Sequence, residues 1–153
     1  MDNYVELTRI WLREEPIQVL LLGDERMTSK ASYLETKLGS TAINITGKTT
    51  LREAFGMLQH SSMMISEDSG LMHMAWVSGV PTIALFGGSR HQWSAPMGDH
   101  SRSFDSGDLP CGACMERTCR FGDVHCLTRI TPQMVFDKAC EVRRFGERAQ
   151  RQQ

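Results

Sequence analysis

The sequence predicts an α/β fold, a Rossmann-like parallel sheet with helices on both faces. Segments of helical spacing alternate with short apolar segments along most of the chain. The run at 17–22, apolar apart from Gln18, suits a strand covered on both faces, as in a parallel sheet. Gly79-Val80-Pro81 ends one such helix and leads directly into a second apolar run at 82–86. Parallel strands joined through helices imply right-handed crossovers.

The first half of the chain follows this alternation. The predicted elements are a helix at 4–14, a strand at 17–22, a helix at 28–38, a strand at 42–45 and a helix at 51–59. Pro16 ends the first helix and Gly39 ends the second. Thr49 or Thr50 caps the third helix, and Glu53 stands where a capping box from Thr50 would place it.

The second half continues with a strand at 63–65, a helix that opens after Asp68, a strand at 82–86, a surface loop at 89–110 and a final helix from Thr131. Thr131 caps that last helix, and Pro132 suits its first turn. Four of its residues are predicted to face the core: Met134, Val135, Ala139 and Val142. A polar tail is predicted at 143–153.

The segment Asp68-Ser69-Gly70 stands between a predicted strand and a predicted helix. The first amides of a helix lack carbonyl partners within it, and the helix dipole places positive charge at the same end. In α/β proteins this is where phosphates bind. A purely structural interpretation is also open, in which Asp68 and Ser69 only cap the helix.

Length and composition limit the possible functions. At 153 residues the chain suits one domain, predicted over 1–142 with a cysteine-rich insertion at 111–126. The net charge of −1 argues against a nucleic-acid binder. The sequence shows neither a signal peptide nor an apolar run that would span a membrane, which predicts a cytoplasmic protein.

Four cysteines follow the predicted loop: Cys111, Cys114, Cys119 and Cys126. Four thiols within so short a segment suit a tetrahedral thiolate site for structural zinc or iron. The alternative is a set of reduced or paired thiols that only pack together. No cofactor is expected for catalysis.

Several motifs together resemble glycosyltransferase family nine, the ADP-heptose:lipopolysaccharide heptosyltransferases and their relatives. These are D-S-G-L-M-H at 68–73, G-V-P-T at 79–82, A-L-F-G at 84–87 and G-K-T-T-L-R-E at 47–53. The cysteine segment resembles the end of many members. The resemblance covers residues 4–142.

The resemblance implies the donor-binding half of a two-domain GT-B glycosyltransferase. The chain opens on a helix where such a domain opens on a strand, so we expect the sheet to lack its first strand. Either the chain is a fragment, or a preceding strand comes from elsewhere. The acceptor-binding half and the catalytic base would then lie outside this chain, which predicts no catalytic residue in it and no turnover by it alone.

The resemblance also implies roles around the predicted helix N-terminus. The amides of Ser69 and Gly70 would face the diphosphate of an ADP-sugar, with the side chain of His73 as a further donor. Asp68 would bind sugar hydroxyls or cap backbone amides, because a carboxylate repels phosphate. Without the family context, His73 reads as a partly buried structural histidine.

Lys48 and Thr49 follow a strand end and would contact the nucleotide, although Lys48 alone reads as a solvated turn residue. Asp24 or Glu25, just after a strand, is placed to bind a ribose hydroxyl, by the logic of dinucleotide-binding folds. In the loop, Trp93 either stacks on a base or covers the core.

Three functions are therefore open from the sequence. The first is the donor domain for ADP-heptose-type transfer to a lipopolysaccharide or related glycan, at the inner face of the bacterial cytoplasmic membrane. The second is a stand-alone nucleotide-binding module without catalysis. The third is a metal-thiolate interaction protein whose α/β part is only a scaffold.

Overall fold

The computed structural model describes the backbone of residues 1–150 and the side chains of residues 1–143. The chain forms two compact units, Met1–Gly56 and Met57–Gln153, which are described one at a time. The single domain predicted over 1–142 stays a prediction. Of the polar tail predicted at 143–153, the structure describes the side chain of residue 143 and the backbone as far as residue 150.

The first unit holds a two-stranded parallel sheet and its helices. Its elements are α1 (Asp2–Glu14), β1 (Val19–Leu21), α2 (Thr28–Leu38), β2 (Ala42–Asn44) and the start of α3 (Leu51–Gln59). In the register, Val19 pairs with Ala42 and Leu21 with Asn44. The predicted order of helices and strands is confirmed here, with strands shorter than the apolar runs that contain them.

The capping box at the start of α3 is formed as predicted. The backbone amide of Thr50 donates to Glu53 Oε2 at 2.8 Å, and the amide of Glu53 donates to Thr50 Oγ1 at 3.3 Å. Each side chain thus satisfies an amide that the helix itself leaves without a partner.

The second unit holds a three-stranded parallel sheet in the order β3-β4-β5. Its elements are β3 (Met64–Glu67), α4 (Gly70–Val77), β4 (Thr82–Leu85), α5 (His91–Ser94), β5 (Ser101–Phe104), α6 (His125–Thr128) and α7 (Pro132–Gln150). The central strand β4 is buried along its whole length, as a strand with both neighbours and both faces covered should be.

The prediction of a surface loop over 89–110 is wrong, because this stretch contains α5 and the strand β5. The strand reads Ser-Arg-Ser-Phe and pairs with β4 from Ser101 to Phe104. Only one neighbouring strand pairs with it in the described part, so its sequence carries no apolar run. Local composition therefore resembled a loop, and only the pairing with β4 reveals the strand.

The last helix is capped as predicted, since the amide of Met134 donates to Thr131 Oγ1 at 3.2 Å. Val135, Ala139 and Val142 face the core, with at most 4% of their surface exposed. Met134 was predicted to join them but is 43% exposed, because it lies one position from Val135 and thus on another face of the helix. None of the helices in the described part combines the length and hydropathy that a membrane crossing needs.

Candidate functional site

The carboxyl end of β3 turns into α4 through Asp68 and Ser69. Ser69 has extended backbone angles and caps the helix, its Oγ accepting the amide of Met72 at 3.2 Å. The hydroxyl of Ser66 lies 3.0 Å from that of Ser69 and fixes the cap from the strand side. The predicted helix start is therefore confirmed, and the amide of Gly70 belongs to the first turn, where helices bind anions.

Gly70 leaves open space at this helix end. A Cβ built on Gly70 would meet no atom within 4 Å, apart from its own chain neighbours and its own helix backbone. A ligand group can therefore approach the backbone here without a side chain in the way. This geometry agrees with an anion site at the first turn of α4, the feature that the sequence motif predicts.

Asp68 and His73 face each other across this turn. Their closest atoms, Asp68 Oδ1 and His73 Nε2, lie 3.7 Å apart, and the two side chains are 29% and 37% exposed. The hydroxyl of Ser94 donates weakly to the same oxygen at 3.5 Å. Among the described residues, no backbone amide donates to this carboxylate. The suggestion that Asp68 caps amides therefore receives no support, because Ser69 performs that task.

Sequence reasoning missed a second histidine–carboxylate pair in this unit. His91 Nδ1 lies 3.5 Å from Asp105 Oδ1, and the His91 ring meets the Phe86 ring edge-on at 6.3 Å between centroids. The two residues follow β4 and β5, whose carboxyl ends lie at one edge of the sheet. Since β5 was read as loop, nothing in the sequence indicated that Asp105 would stand beside His91.

A segment following β5 folds back over Gly87 and Gly88 at the end of β4. The Ser106 hydroxyl donates to the Gly87 carbonyl at 2.6 Å, and the Met115 amide donates to the Gly88 carbonyl at 2.8 Å. Leu127 covers Gly87, since a Cβ there would lie 3.0 Å from Leu127 Cγ. The cysteine-rich segment is thus fastened to the same sheet edge as the candidate site.

The four cysteines of this segment are free thiols. Within the part of the chain that the structure describes, no group of three or more His, Cys, Asp or Glu is arranged to hold a metal ion. The Cys119 thiol donates to Asp123 Oδ1 at 3.7 Å, and Cys114 is exposed beside Gly88. Burial raises the pKa of the Cys126 thiol, and the charges of Cys119 and Cys114 raise it further. As placed, these thiols do not fit a zinc or iron site at Cys111, Cys114, Cys119 and Cys126, and metal binding there stays a prediction.

In the first unit, hydrogen bonds join the carboxyl ends of β1 and β2. The Gly47 amide donates to the Gly23 carbonyl at 2.9 Å. Gly47 has a positive φ of 70°, and a Cβ there would lie 3.2 Å from Glu25 Cγ. The structure therefore brings Glu25 against the turn that carries Lys48 and Thr49, as expected of residues that follow neighbouring parallel strands.

The side chains at this edge differ in how strongly they are already engaged. The Arg26 guanidinium donates to Asp24, and this hydrogen bond holds the pKa of Asp24 below its usual range. Asp24 also caps the following turn, so of the two carboxylates Glu25 is the one left for a ligand. Lys48 is exposed and its Nζ donates to the Asn44 carbonyl at 3.0 Å, while Thr49 is half-buried.

Comparison with known proteins adds independent evidence. The family model for glycosyltransferase family 9 (heptosyltransferase) matches residues 1–125. Lipooligosaccharide heptosyltransferase 2 of Haemophilus influenzae is 31% identical over 112 residues, which cover 71% of this chain and 32% of that protein. Its namesake in Campylobacter jejuni is 29% identical over 96 residues, which cover 63% of this chain and 30% of that protein.

Among solved structures, the ADP-heptose lps heptosyltransferase II of Escherichia coli is similar with a TM-score of 0.78 and 26% identity. The match covers 95% of this chain and 41% of that one. It confirms the predicted Rossmann-like half of a GT-B fold. The chain spans 30–32% of the length of the two curated relatives.

Proposed function

This chain belongs to glycosyltransferase family 9, the heptosyltransferase family, and we propose that it binds the ADP-sugar donor for transfer of a heptose-type sugar to a lipopolysaccharide or related glycan. The observation that carries the proposal is the Ser69-capped start of α4, with open space at Gly70 and the Asp68–His73 pair beside it. The solved relative from Escherichia coli is an ADP-heptose lps heptosyltransferase II, which supports the choice of donor.

The proposed chemistry rests on charge at the leaving group. When the glycosidic bond of an ADP-sugar breaks, negative charge grows on the diphosphate. The amides of Ser69 and Gly70 and the positive end of the α4 dipole would stabilise that charge, and His73 would donate a further hydrogen bond. These groups are fixed before the ligand binds, so stabilisation needs little reorganisation.

Asp68 has a different task in this proposal. Its carboxylate accepts hydrogen bonds only, which suits sugar hydroxyls and not phosphate oxygens. Its Oδ1 lies 3.5 Å from the Ser94 hydroxyl and 3.7 Å from His73 Nε2. We assign it to the donor sugar.

In the first unit, we assign Glu25, Lys48 and Thr49 to the nucleotide. Glu25 packs on Gly47 with its carboxylate exposed, which suits a ribose hydroxyl. Lys48 would exchange its hydrogen bond to the Asn44 carbonyl for the ligand. Breaking the hydrogen bond to Asn44 costs free energy, which the attraction between the Lys48 ammonium and a ligand phosphate can offset.

We assign no catalytic base to this chain. The catalytic base and most of the acceptor-binding residues would lie in the part of such an enzyme outside the 41% matched in the solved relative. We therefore propose that residues 1–153 bind donor but do not turn it over. The reaction would take place in the cytoplasm, at the inner face of the bacterial membrane.

The test is calorimetric titration of the chain with ADP, UDP and GDP. The variants Ser69→Ala and His73→Ala are compared with Ser62→Ala and His60→Ala, which alter the same residue types in the segment after α3. A hydrogen bond to a charged group contributes about 1.5–3 kcal/mol, so His73→Ala should weaken ADP binding about tenfold or more. Ser69→Ala keeps the backbone amide but removes the cap that holds the first turn of α4, so it should also weaken ADP binding. Thermal melting of each variant checks that the cap at Ser69 is not needed for folding.

The outcomes separate nucleotide binding at this site from the scaffold interpretation. ADP-selective binding that weakens only in the site variants supports the donor proposal. Equal ADP binding by site and control variants would show that ADP binds elsewhere on the chain. Failure to bind any nucleotide would reject donor binding by this chain and leave the scaffold interpretation.

A further inference from the structure

The short helix α5 and its flanks are anchored on their inner side. Ala95 packs against the buried cluster of Met72, Ala84 and Phe86. One turn earlier, the His91 ring meets Phe86 and its Nδ1 faces Asp105. The amide of Ala95 donates to the His91 carbonyl at 2.8 Å and closes the turn. These contacts fix which side chains of the segment point away from the core.

Two of those outward side chains form a pair. Trp93 is 70% exposed, and the Arg90 guanidinium carbon lies 4.7 Å from the centre of its ring. The structure thus excludes the suggestion that Trp93 covers the core. Among residues 1–143, no carboxylate forms an ion pair with Arg90. An exposed indole beside an unneutralised guanidinium offers an apolar face and a fixed positive charge together.

The pair stands next to the proposed sugar-binding carboxylate. Trp93 precedes Ser94, whose hydroxyl reaches Asp68 Oδ1 at 3.5 Å. Consecutive Cα atoms are about 3.8 Å apart, so the indole begins within one residue of the group assigned to the donor sugar. The Arg90–Trp93 pair is therefore carried by the same short segment as the Ser94 hydroxyl that contacts Asp68.

We propose that Arg90 and Trp93 form a subsite for a negatively charged saccharide, which this chain adds to an acceptor site whose main part lies outside it. The indole face would pack against the C–H groups of a sugar ring, whose slight positive charge suits the electron-rich face. The guanidinium would pair with a carboxylate or phosphate on that sugar, the geometry for which arginine is suited. This inference rests on the proposed function, since it takes Asp68 as the position of the donor sugar.

The competing occupant of the indole is the adenine base of the donor. A base that stacks on Trp93 would make ADP binding depend on this side chain, whereas an acceptor subsite leaves ADP binding unchanged. The two assignments therefore differ in a measurable way.

The experiment is a ligand-observed NMR titration of the chain with methyl β-glucuronide and with methyl β-glucoside, which lacks the charge. We expect the glucuronide to bind more tightly by about fivefold or more. Arg90→Gln should remove that difference, and Trp93→Ala should weaken both sugars. The matched controls are Arg120→Gln and Phe121→Ala, which alter another exposed pair with the guanidinium 4.9 Å from the ring. They should bind as the unaltered chain does.

Two additional measurements separate the possible failures. Saturating ADP should not displace the glucuronide, and Trp93→Ala should bind ADP as tightly as the unaltered chain. Glucuronide binding that is absent, displaced by ADP, or equal in site and control variants would overturn the subsite. Weakened ADP binding in Trp93→Ala would assign the indole to the base instead. If the unaltered chain does not bind ADP, the proposed function is rejected. If it binds ADP but Arg90→Gln and Trp93→Ala bind the glucuronide as the unaltered chain does, the subsite alone is rejected.

Discussion

The imidazole of His73 lies 3.7 Å from the carboxylate of Asp68, across the turn that opens α4. The pair places a group that can donate a hydrogen bond and a group that only accepts one side by side at a helix N-terminus. A nucleotide sugar presents the matching sequence of groups, because its phosphates accept and its sugar hydroxyls also donate. The roles of the two residues can therefore be distinguished by comparing ligands with and without the sugar.

Asp68→Asn should distinguish the sugar from the nucleotide. The amide oxygen still accepts a hydrogen bond but carries no charge, so we expect ADP-heptose to lose about tenfold in affinity while ADP loses little or gains. Calorimetry with both ligands provides the comparison, and Asp99→Asn serves as an exposed control. Parallel weakening of both ligands would place the carboxylate at the nucleotide instead.

Gly70→Ala should weaken ADP binding without harming the fold. The added methyl group meets open space within the protein, and alanine favours a helix more than glycine does. In the proposed complex, however, the methyl group enters the volume of the diphosphate, so binding should fall about tenfold or more. Gly56→Ala is the matched control, since it also meets open space but lies in α3. Thermal melting and calorimetry on both variants check this, and unaltered ADP binding by Gly70→Ala would contradict the proposed site.

Gly112→Ala should destabilise the second unit. A Cβ at this position would lie 1.9 Å from the backbone oxygen of Ser106, so the main chain itself must move. We expect a loss of about 1–3 kcal/mol in the free energy of unfolding, typical of overpacking. Urea unfolding beside Gly56→Ala measures the difference. Equal stability of the two variants would show that the segment over Gly87 yields easily.

Alkylation should reach Cys126 later than Cys114. Burial and the neighbouring charges of Cys119 and Cys114 raise the pKa of the Cys126 thiol, so a smaller fraction is thiolate at a given pH. Cys114 is exposed. With iodoacetamide at about pH 8, mass spectrometry should find Cys114 modified first, and the lag of Cys126 should shrink as pH rises. Faster modification of Cys126 would contradict the described burial.

Glu53→Gln should remove part of the acid sensitivity of folding. The amide and hydroxyl of Thr50 donate to the Glu53 carboxylate and lower its pKa. A folded-state pKa below the unfolded value, about 4.3 for Glu, gives a contribution that is complete above that pH and disappears as pH falls. The stability advantage of the unaltered chain over Glu53→Gln should therefore shrink between about pH 7 and pH 3. Urea unfolding at both pH values tests this, with exposed Glu14→Gln as the control.

What the sequence could predict depended on whether the signal is local. Ser69 caps α4 and Thr50 caps α3 through residues three positions apart, so the pattern is complete in a short segment. The strand β5 gave no such signal, because only its pairing with β4 distinguishes it from loop. The contact between His91 and Asp105 was out of reach for the same reason.

The choice between Asp24 and Glu25 was also beyond the sequence. Both carboxylates follow the same strand, and either suits a ribose hydroxyl. Only the hydrogen bonds of Arg26 show that Asp24 is occupied. Side-chain partners two residues away compete with a ligand, and their geometry has no signature in composition or periodicity.

The segment that covers Gly87 and Gly88 contains three non-glycine residues with positive φ, namely Ala113 at 51°, Met115 at 59° and Val124 at 48°. Each such backbone angle costs roughly 1–2 kcal/mol for an L-residue. Local preference therefore opposes this conformation, and the hydrogen bonds to the carbonyls of Gly87 and Gly88 hold it in place. Under mild denaturant this segment should detach before the sheet unfolds. The amide of Met115 should then exchange its hydrogen with solvent while the amides of β4 stay protected.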